Sequence, residues 1–388
     1  MTAAAIAIDG GDLPLGGGLL ALVRPALLAT APGGVVALRS SSPGVRQDLP
    51  SWCRVERHEY LGCEPDSDGS DRHLIRRGPF GVPRAMADDA ADADPHTGFA
   101  PRGSLVEPGG PAYPVTLTHR DLALAPETRQ LYDQAVAAQW DARELAWDRV
   151  RSLPPALERA LSQVMTFLAE NELSALYVPS KFVARLHPAF AETAMFLATQ
   201  LMDESRHIDV FLRRAGKVRG VSSVTTSRSL LALLQLEDFT EAAFLLSVLG
   251  EGTFLDLLRF VEVHAPDEVT ADLARRTRAD EARHVHFGIV HVRHAISVES
   301  SAAGRLEAAV RRRAAALHGI DGVPAPIQDA LTILAAGSDE PVRVARGHEA
   351  FQQLLVDMHE GRLKRLEHAG FTAAQAQVLS GLHTPNFM

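Results

Sequence analysis

The chain has 388 residues, enough for two or three domains. It is 46% hydrophobic and 22% charged, an ordinary globular balance, and its net charge of −9 argues against a general nucleic-acid binder, which needs a basic footprint. Two cysteines, Cys53 and Cys63, are too few for a rubredoxin-type iron site or a disulfide framework. No stretch reaches the roughly 18 to 20 apolar residues of a membrane span, and "GGGLLALVRPALLATA" is broken by Arg24 and Pro25 and lacks a basic leader. The expectation is a cytoplasmic protein with neither nucleic acid nor membrane as partner.

Residues 1–78 alternate strand and helix signals. "AAAIAI" reads as a strand, Gly16 to Ala31 as a helix and "GVVALRS" as a second strand. "RQDLPSWCRVER" follows as a helix, then "HEYLGCE" and "RHLIRR" as strands. The sum is βαβαββ, a small two-layer α/β domain. Residues 79–117 are rich in Gly, Pro, Ala, Asp and Ser without apolar period, and read as a flexible linker. Residues 118–388 are helical almost throughout, with breaks at Leu153-Pro154-Pro155, His187-Pro188, Gly216, Ala265-Pro266, Gly322 and Gly337. This predicts an all-α domain built on a four-helix bundle, with extra helices after about residue 300. The run Arg311-Arg312-Arg313 reads as a solvated helix flank.

Within the helices one phrase recurs. "DESRH" spans Asp203 to His207 and "DEARH" spans Asp280 to His284. Glu204 and His207 are three apart, as are Glu281 and His284, so each pair shares a helix face. A carboxylate and an imidazole aimed into a bundle core are costly unless a metal orders them. Glu-x-x-His on two helices plus a lone Glu on two others is a di-metal ligand set. "FLAENELSALYVP" supplies Glu172, in phase with Met165, Leu168 and Leu176, whereas Glu170 falls on a polar stripe. "LLSVLGEGTFLDLL" supplies Glu251, in phase with Phe244, Val248, Phe254, Leu255 and Leu258.

Depth along the helices agrees. Glu172 lies 15 residues before His187, and Glu204 lies 16 after Pro188. Glu251 and Glu281 each lie 15 from Pro266. At about 1.5 Å per residue all four carboxylates sit roughly 22 to 24 Å from their turns. The expected metal ligands are therefore Glu172, Glu204, His207, Glu251, Glu281 and His284. Asp203 and Asp280 are expected to accept the far N–H of the ligand imidazoles, with Arg206 and Arg283 balancing their charge. Gln200 and Thr277, each four residues before a ligand Glu, are the polar candidates for the substrate pocket. Its apolar lining is expected from Met165, Leu168, Leu176, Leu201, Phe211, Phe244, Val248, Phe254, Leu255 and Val285. Gly250 and Gly252 flank Glu251 and suit either a helix distortion or close helix packing. Oxygen and nitrogen donors favour iron or manganese over zinc–thiolate chemistry, and no further cofactor is indicated.

These residues resemble the ferritin-like di-iron carboxylate superfamily, in particular its oxygen-activating branch. "NELSA", "GEGTF", "DESRH" and "DEARH" are similar to the four ligand segments of bacterial multicomponent monooxygenase hydroxylases, over roughly residues 155–298. The resemblance implies a non-haem di-iron oxidase or oxygenase. It would hold two iron ions, or a manganese–iron pair, and use O2 as co-substrate on a small apolar or amphipathic organic molecule. An electron-donor protein and a homodimer are the partners it implies. The alternatives are a ferroxidase without organic substrate and a partner-binding module. Three positions depart from relatives of known chemistry. Leu255 stands where the hydroxylases keep a Thr, Phe211 where ribonucleotide reductase small subunits keep a radical Tyr, and Thr277 where arylamine N-oxygenases add a His. The first 78 residues resemble the TusA-like sulfur-carrier fold. The stretch matching its Cys-Pro-x-Pro motif is "GDLPLGGG", without a cysteine, and Cys53 lies instead on the second helix as a packing residue.

Overall fold

The computed structural model describes residues 4–78, 114–119, 124–216, 220–317 and 323–382. It divides into two units, Met1–Tyr113 and Pro114–Met388. In the first, β1 (Ile6–Asp9), α1 (Leu20–Ala29), β2 (Val35–Ser40), α2 (Val45–Val55), β3 (Glu59–Pro65) and β4 (Asp71–Arg76) follow in the order βαβαββ. The sheet order is β1-β2-β4-β3. β1 and β2 run parallel, with Ile8 opposite Leu38, and the other pairs are antiparallel. A parallel pair needs a crossover, and α1 supplies it. β3 shifts register between Tyr60 and Gly62, where Gly62 has φ +129, a backbone state that suits glycine at a bulge.

Leu19, Val23, Leu27, Val36, Leu38, Val45, Leu49, Cys53 and Ile75 form one core between the two helices and the sheet. Burial pushes the Cys53 thiol up to about 12, so it stays protonated at neutral pH. Cys63 is only half-buried. In the folded chain, iodoacetamide should therefore alkylate Cys63 readily, and Cys53 only after unfolding. Peptide mass mapping reads the difference, and equal labelling of both in native buffer would contradict the burial argument.

In the second unit α3 (Thr128–Ala137) precedes the long helices α4 (Pro155–Val183) and α5 (Ala191–Ala215). After α6 (Val224–Leu234), α7 (Phe239–Ala243) continues through a π-helical segment, Phe244–Glu251, into α8 (Gly252–Val263). Then come α9 (Glu268–Val298), α10 (Ala302–Ala316), α11 (Ala325–Ala336), α12 (Pro341–His368) and α13 (Ala373–Leu382). The helix ends follow local chemistry. Pro155 opens α4, where its missing N–H costs nothing. The Asp267 side chain accepts the Thr270 N–H at 2.8 Å to open α9.

α4 pairs with α5, and α8 with α9, as the two hairpins of the bundle. α11 packs on α4 and α12, and α12 packs on α8, so these later helices cover the bundle's flank. Leu331, Leu334, Phe351, Leu354 and Met358 thereby share a core with Leu161, Met165, Leu168, Phe254 and Leu258. Of the stretch read as linker, residues 79–113 lie outside the described residues. Its last residues are tied to the helical unit: Leu117 bridges Leu186, and its N–H donates to the Arg185 carbonyl at 2.9 Å. Among the described residues no helix is long and apolar enough to cross a membrane.

Candidate metal centre

Four helical segments each bring a glutamate to one depth. Glu172 comes from α4, Glu204 with His207 from α5, Glu251 from the end of the π segment, and Glu281 with His284 from α9. All six side chains are buried, none more than 5% exposed. Their donor atoms form two tetrads, Glu172–Glu204–His207–Glu281 and Glu204–Glu251–Glu281–His284. Within each tetrad the donor atoms lie within 4.8 Å of one another. Glu204 and Glu281 belong to both, so the tetrads interlock. Glu170, the competing residue on α4, instead accepts the Ser223 N–H at 3.3 Å.

Buried polar atoms are almost always hydrogen-bonded, and exceptions call for a cause. Among the described residues Glu172 Oε1, Glu204 Oε1, Glu251 Oε2, both Glu281 carboxylate oxygens and His284 Nδ1 have no hydrogen-bond partner. His284 Nδ1 and Glu204 Oε1 approach to 2.9 Å, yet not along a hydrogen-bond direction. Atoms that crowd together without bonding one another are aimed at a common centre. The donor set fits a pair of divalent cations.

The repeated phrase is explained by a crossed arrangement. Asp280, from the second copy, contacts His207 Nε2 of the first at 3.2 Å. Asp203, from the first copy, contacts His284 Nε2 of the second at 3.3 Å. Each aspartate thus serves the imidazole of the other helix and leaves that ring's Nδ1 facing the glutamates. Arg206 donates to both aspartates, to Asp280 at 3.0 Å. Arg283 also reaches both, Asp203 at 3.4 Å. Two further residues join that sequence reasoning missed. Gln139 Nε2 donates to Asp203 at 2.9 Å, and Trp140 Nε1 donates to Asp280 at 2.8 Å. The Trp140 ring also lies 4.6 Å from the Arg206 guanidinium. Both stand in the turn after α3, where no periodicity marks them; the tryptophan was the only available signal.

The electrostatics of the metal-free cluster follow from crowding. Burial pushes Glu172 and Glu251 well up, and the Glu281 and Glu204 charges push them further. Burial lowers His207, but Asp280, Glu204 and Glu281 outweigh it and hold the ring well above its usual range. For His284, burial is likewise outweighed by Glu204, Glu281 and Asp203. Burial would raise Glu204, yet His284 and His207 hold it below the carboxylate range. Protons therefore do the balancing when no cation is bound.

The sign of the pH dependence is fixed by this. Groups raised on folding bind more protons folded than unfolded. Metal-free protein then loses stability as pH rises past the ordinary values of 4.5 for Glu and 6.5 for His. Bound cations displace those protons, so loading releases protons and tightens as pH rises. Thermal unfolding from about pH 6 to about pH 8 should show a falling midpoint for metal-free protein and none of that fall for loaded protein. A metal-free midpoint that climbs over this range would contradict the assignment.

Glu251 sits where the helix widens. Gly250 borders a cavity, while a Cβ on Gly252 would meet Arg365 Nε at 2.6 Å. The two glycines thus divide the two roles considered for them, distortion at one and close packing at the other. Gln200 Nε2 donates to Glu251 Oε1 at 3.0 Å. Beside the cluster lies a narrow, partly open cavity with about 20 Å³ of room, space for about one water. Glu172, Glu251 and Glu281 line one side, and Ala175, Leu233, Leu245, Leu246 and Phe254 supply most of the wall. Asn171, Ser174 and Arg313 add polar groups. Neither Gln200 nor Thr277 is in this lining: Gln200 is spent on Glu251, and Thr277 is fully buried with its hydroxyl unpartnered among the described residues. Arg313 corrects the reading of the arginine run. Arg311 and Arg312 pair with Glu307 and Glu241 on the outside, but Arg313 turns in to the cavity.

No family profile matches this chain, and no curated protein does. Solved structures of R2-like ligand-binding oxidases share the fold of the helical part. A variant with an anaerobically reconstituted Mn/Fe cofactor is 17% identical, with 62% of this chain and 93% of that chain covered at a TM-score of 0.50. Another, with an Fe/Fe cofactor, is 16% identical, covering 62% and 92% at a TM-score of 0.49. The class defined is a ferritin-like helical fold, here carrying a buried carboxylate–histidine site, beside a small four-stranded α/β unit.

Proposed function

We propose that the helical unit is a non-haem dimetal oxidase. It holds two iron ions, or a manganese–iron pair, through Glu172, Glu204, His207, Glu251, Glu281 and His284, and uses O2 to oxidise a small apolar or amphipathic molecule. The observation that supports this most is the meeting of two interlocked tetrads of buried donor atoms with a cavity lined by three of the same glutamates. Four carboxylates carry the charge that two divalent cations balance. When bound, such a pair supplies the activation of O2. The chain's own residues do the rest. Asp203 and Asp280 fix each imidazole's tautomer, Gln200 orients Glu251, and the apolar wall excludes water and holds the substrate. The α/β unit we read as a sulfur-carrier-like fold without carrier chemistry. The absence of cysteine before α1 and the buried, protonated Cys53 support that.

Anaerobic loading with Fe(II), followed by an oxygen electrode, tests the oxidase reading. About two metals per chain and O2 uptake that quickens with one member of a panel of apolar acids, amines and aromatics are expected. Many irons per chain would mean storage instead. A loaded protein inert to O2 with the whole panel would remove the reading.

A further inference from the structure

We propose that the α/β unit binds a small organic phosphate monoester with a flat ring, in a cleft between the C-terminal ends of α1 and α2. This site lies in the first unit and does not depend on the oxidase reading of the second.

The cleft has about 320 Å³ of room, enough for a small organic molecule. Leu28 of α1 with Trp52 and Val55 of α2 form its apolar part, and Arg24, Arg57, His58 and Arg77 its polar part. Val55 is 79% exposed and Leu28 is also exposed, so the mouth of the cleft keeps apolar surface open to water.

The polar groups here are donors. Arg77 follows the end of β4. Its Nη1 donates to the Leu28 carbonyl at 2.6 Å and to the Thr30 carbonyl, which covers the negative end of α1. Its Nη2 and the Trp52 indole Nε1 are both buried without a hydrogen-bond partner among the described residues. Buried donors left open in this way are exceptions that call for a cause. His58 Nδ1 accepts the Gly78 N–H at 3.0 Å, and burial lowers the ring below its usual range. The ring is therefore neutral at pH 7 with its proton on Nε2. The residues of one cleft thus carry three N–H groups open to an acceptor. The one carboxylate among its lining residues, Glu56, pairs with Arg24 at 3.3 Å.

Charge is segregated along the unit to match. Arg24, Arg54, Arg57, Arg76 and Arg77 stand toward the cleft end, against Glu56 and Glu59. The acids gather at the other end, in Asp9, Asp12, Asp48 and the turn over residues 64–71. The backbone is also forced at the cleft. Arg57 is the one non-glycine residue with a left-handed φ, +61, among the described residues. A Cβ on Gly78 would meet the Arg57 carbonyl oxygen at 1.7 Å. Strain of this kind collects at ligand clamps.

Three separate donors in a positive setting match the three terminal oxygens of a phosphate monoester better than the two of a carboxylate. The flat body follows from Trp52, whose ring lies 5.8 Å from the His58 ring and 5.9 Å from the Arg24 guanidinium and offers a planar apolar wall.

Isothermal titration of the full-length metal-free protein with phenyl phosphate, inorganic phosphate, benzyl alcohol and benzylamine tests this. Phenyl phosphate should bind at least about tenfold more tightly than each of the others. Its binding should change the tryptophan emission, and Trp52→Phe should remove that change although Trp140 and Trp147 remain. Arg77→Gln should erase the preference for phenyl phosphate over benzyl alcohol. Affinity for benzyl alcohol or benzylamine equal to that for phenyl phosphate would remove the anion site, and equal affinity for inorganic phosphate would remove the ring. No binding of phenyl phosphate, an emission change that survives Trp52→Phe, or a preference that survives Arg77→Gln would each overturn the inference. The ligand comparison on the wild-type protein and the Trp52→Phe result decide the matter even if Arg77→Gln fails to fold.

Discussion

Glu204→Ala and Glu281→Ala should each empty the centre of both ions, whereas Glu172→Ala and Glu251→Ala should each leave one. The tetrads share the first two residues and not the others. Removing a shared glutamate leaves both sites with three donors and strips a negative charge from the midst of the cluster. Removing Glu172 leaves Glu204, Glu251, Glu281 and His284 whole, and removing Glu251 leaves the other tetrad whole. Metal content per chain after loading and desalting gives the answer, with circular dichroism to check folding. Four variants with the same content would break the interlocked assignment.

Arg206→Met should be the most damaging change outside the ligands, costing about 3–5 kcal/mol in the metal-free protein. The methionine keeps much of the stem that packs beside Trp140 but removes the charge. Asp203 and Asp280 are then left buried with Arg283 and the His207 and His284 rings as their remaining partners. Gln139 also loses its bond to Arg206 Nη1 at 2.8 Å. Urea titration with an unchanged slope would measure the loss. Arg311→Ala, which breaks an exposed pair with Glu307, sets the scale at about 0.2–1 kcal/mol. A loss for Arg206→Met no larger than that would show the aspartates are not held by this cation.

The candidate ligand residues stood out because charge inside an apolar helical period is conspicuous. Glu172 could be separated from Glu170 by phase alone, and the structure buries the first and leaves the second half-buried. What periodicity conveys is direction, inward or outward. It cannot tell which inward space is filled. Of the apolar residues expected to line a pocket, Phe254 does so, while Met165, Leu168, Phe211, Phe244 and Val248 are core. Leu245 and Leu246, neighbours in the chain, both reach the cavity where the π segment shifts the phase. Arg313 is in phase with the buried Leu306, Ala309 and Val310, a signal that reading the three arginines as one charged run leaves unused. Gln139 and Trp140 depend on a turn that only tertiary packing places.

The π segment also bears on how this chain tolerates changes in length. In an α-helix, losing one residue turns everything beyond it by about 100° and shortens it by about 1.5 Å. In α9 upstream of Glu281 that would swing glutamate, histidine and aspartate off their partners together. A π turn already carries more residues per turn than an α turn does. Deleting one residue between Phe244 and Leu249 lets the segment close as ordinary α-helix with α7 and α8 still in phase. Gly288, where a Cβ would meet Ser247 at 2.7 Å, is shaped to the wide form, so the shortened helix would seat loosely there. Of the four segments that bear the candidate ligands, this one holds a spare residue, and insertions and deletions among relatives of this chain should gather in it.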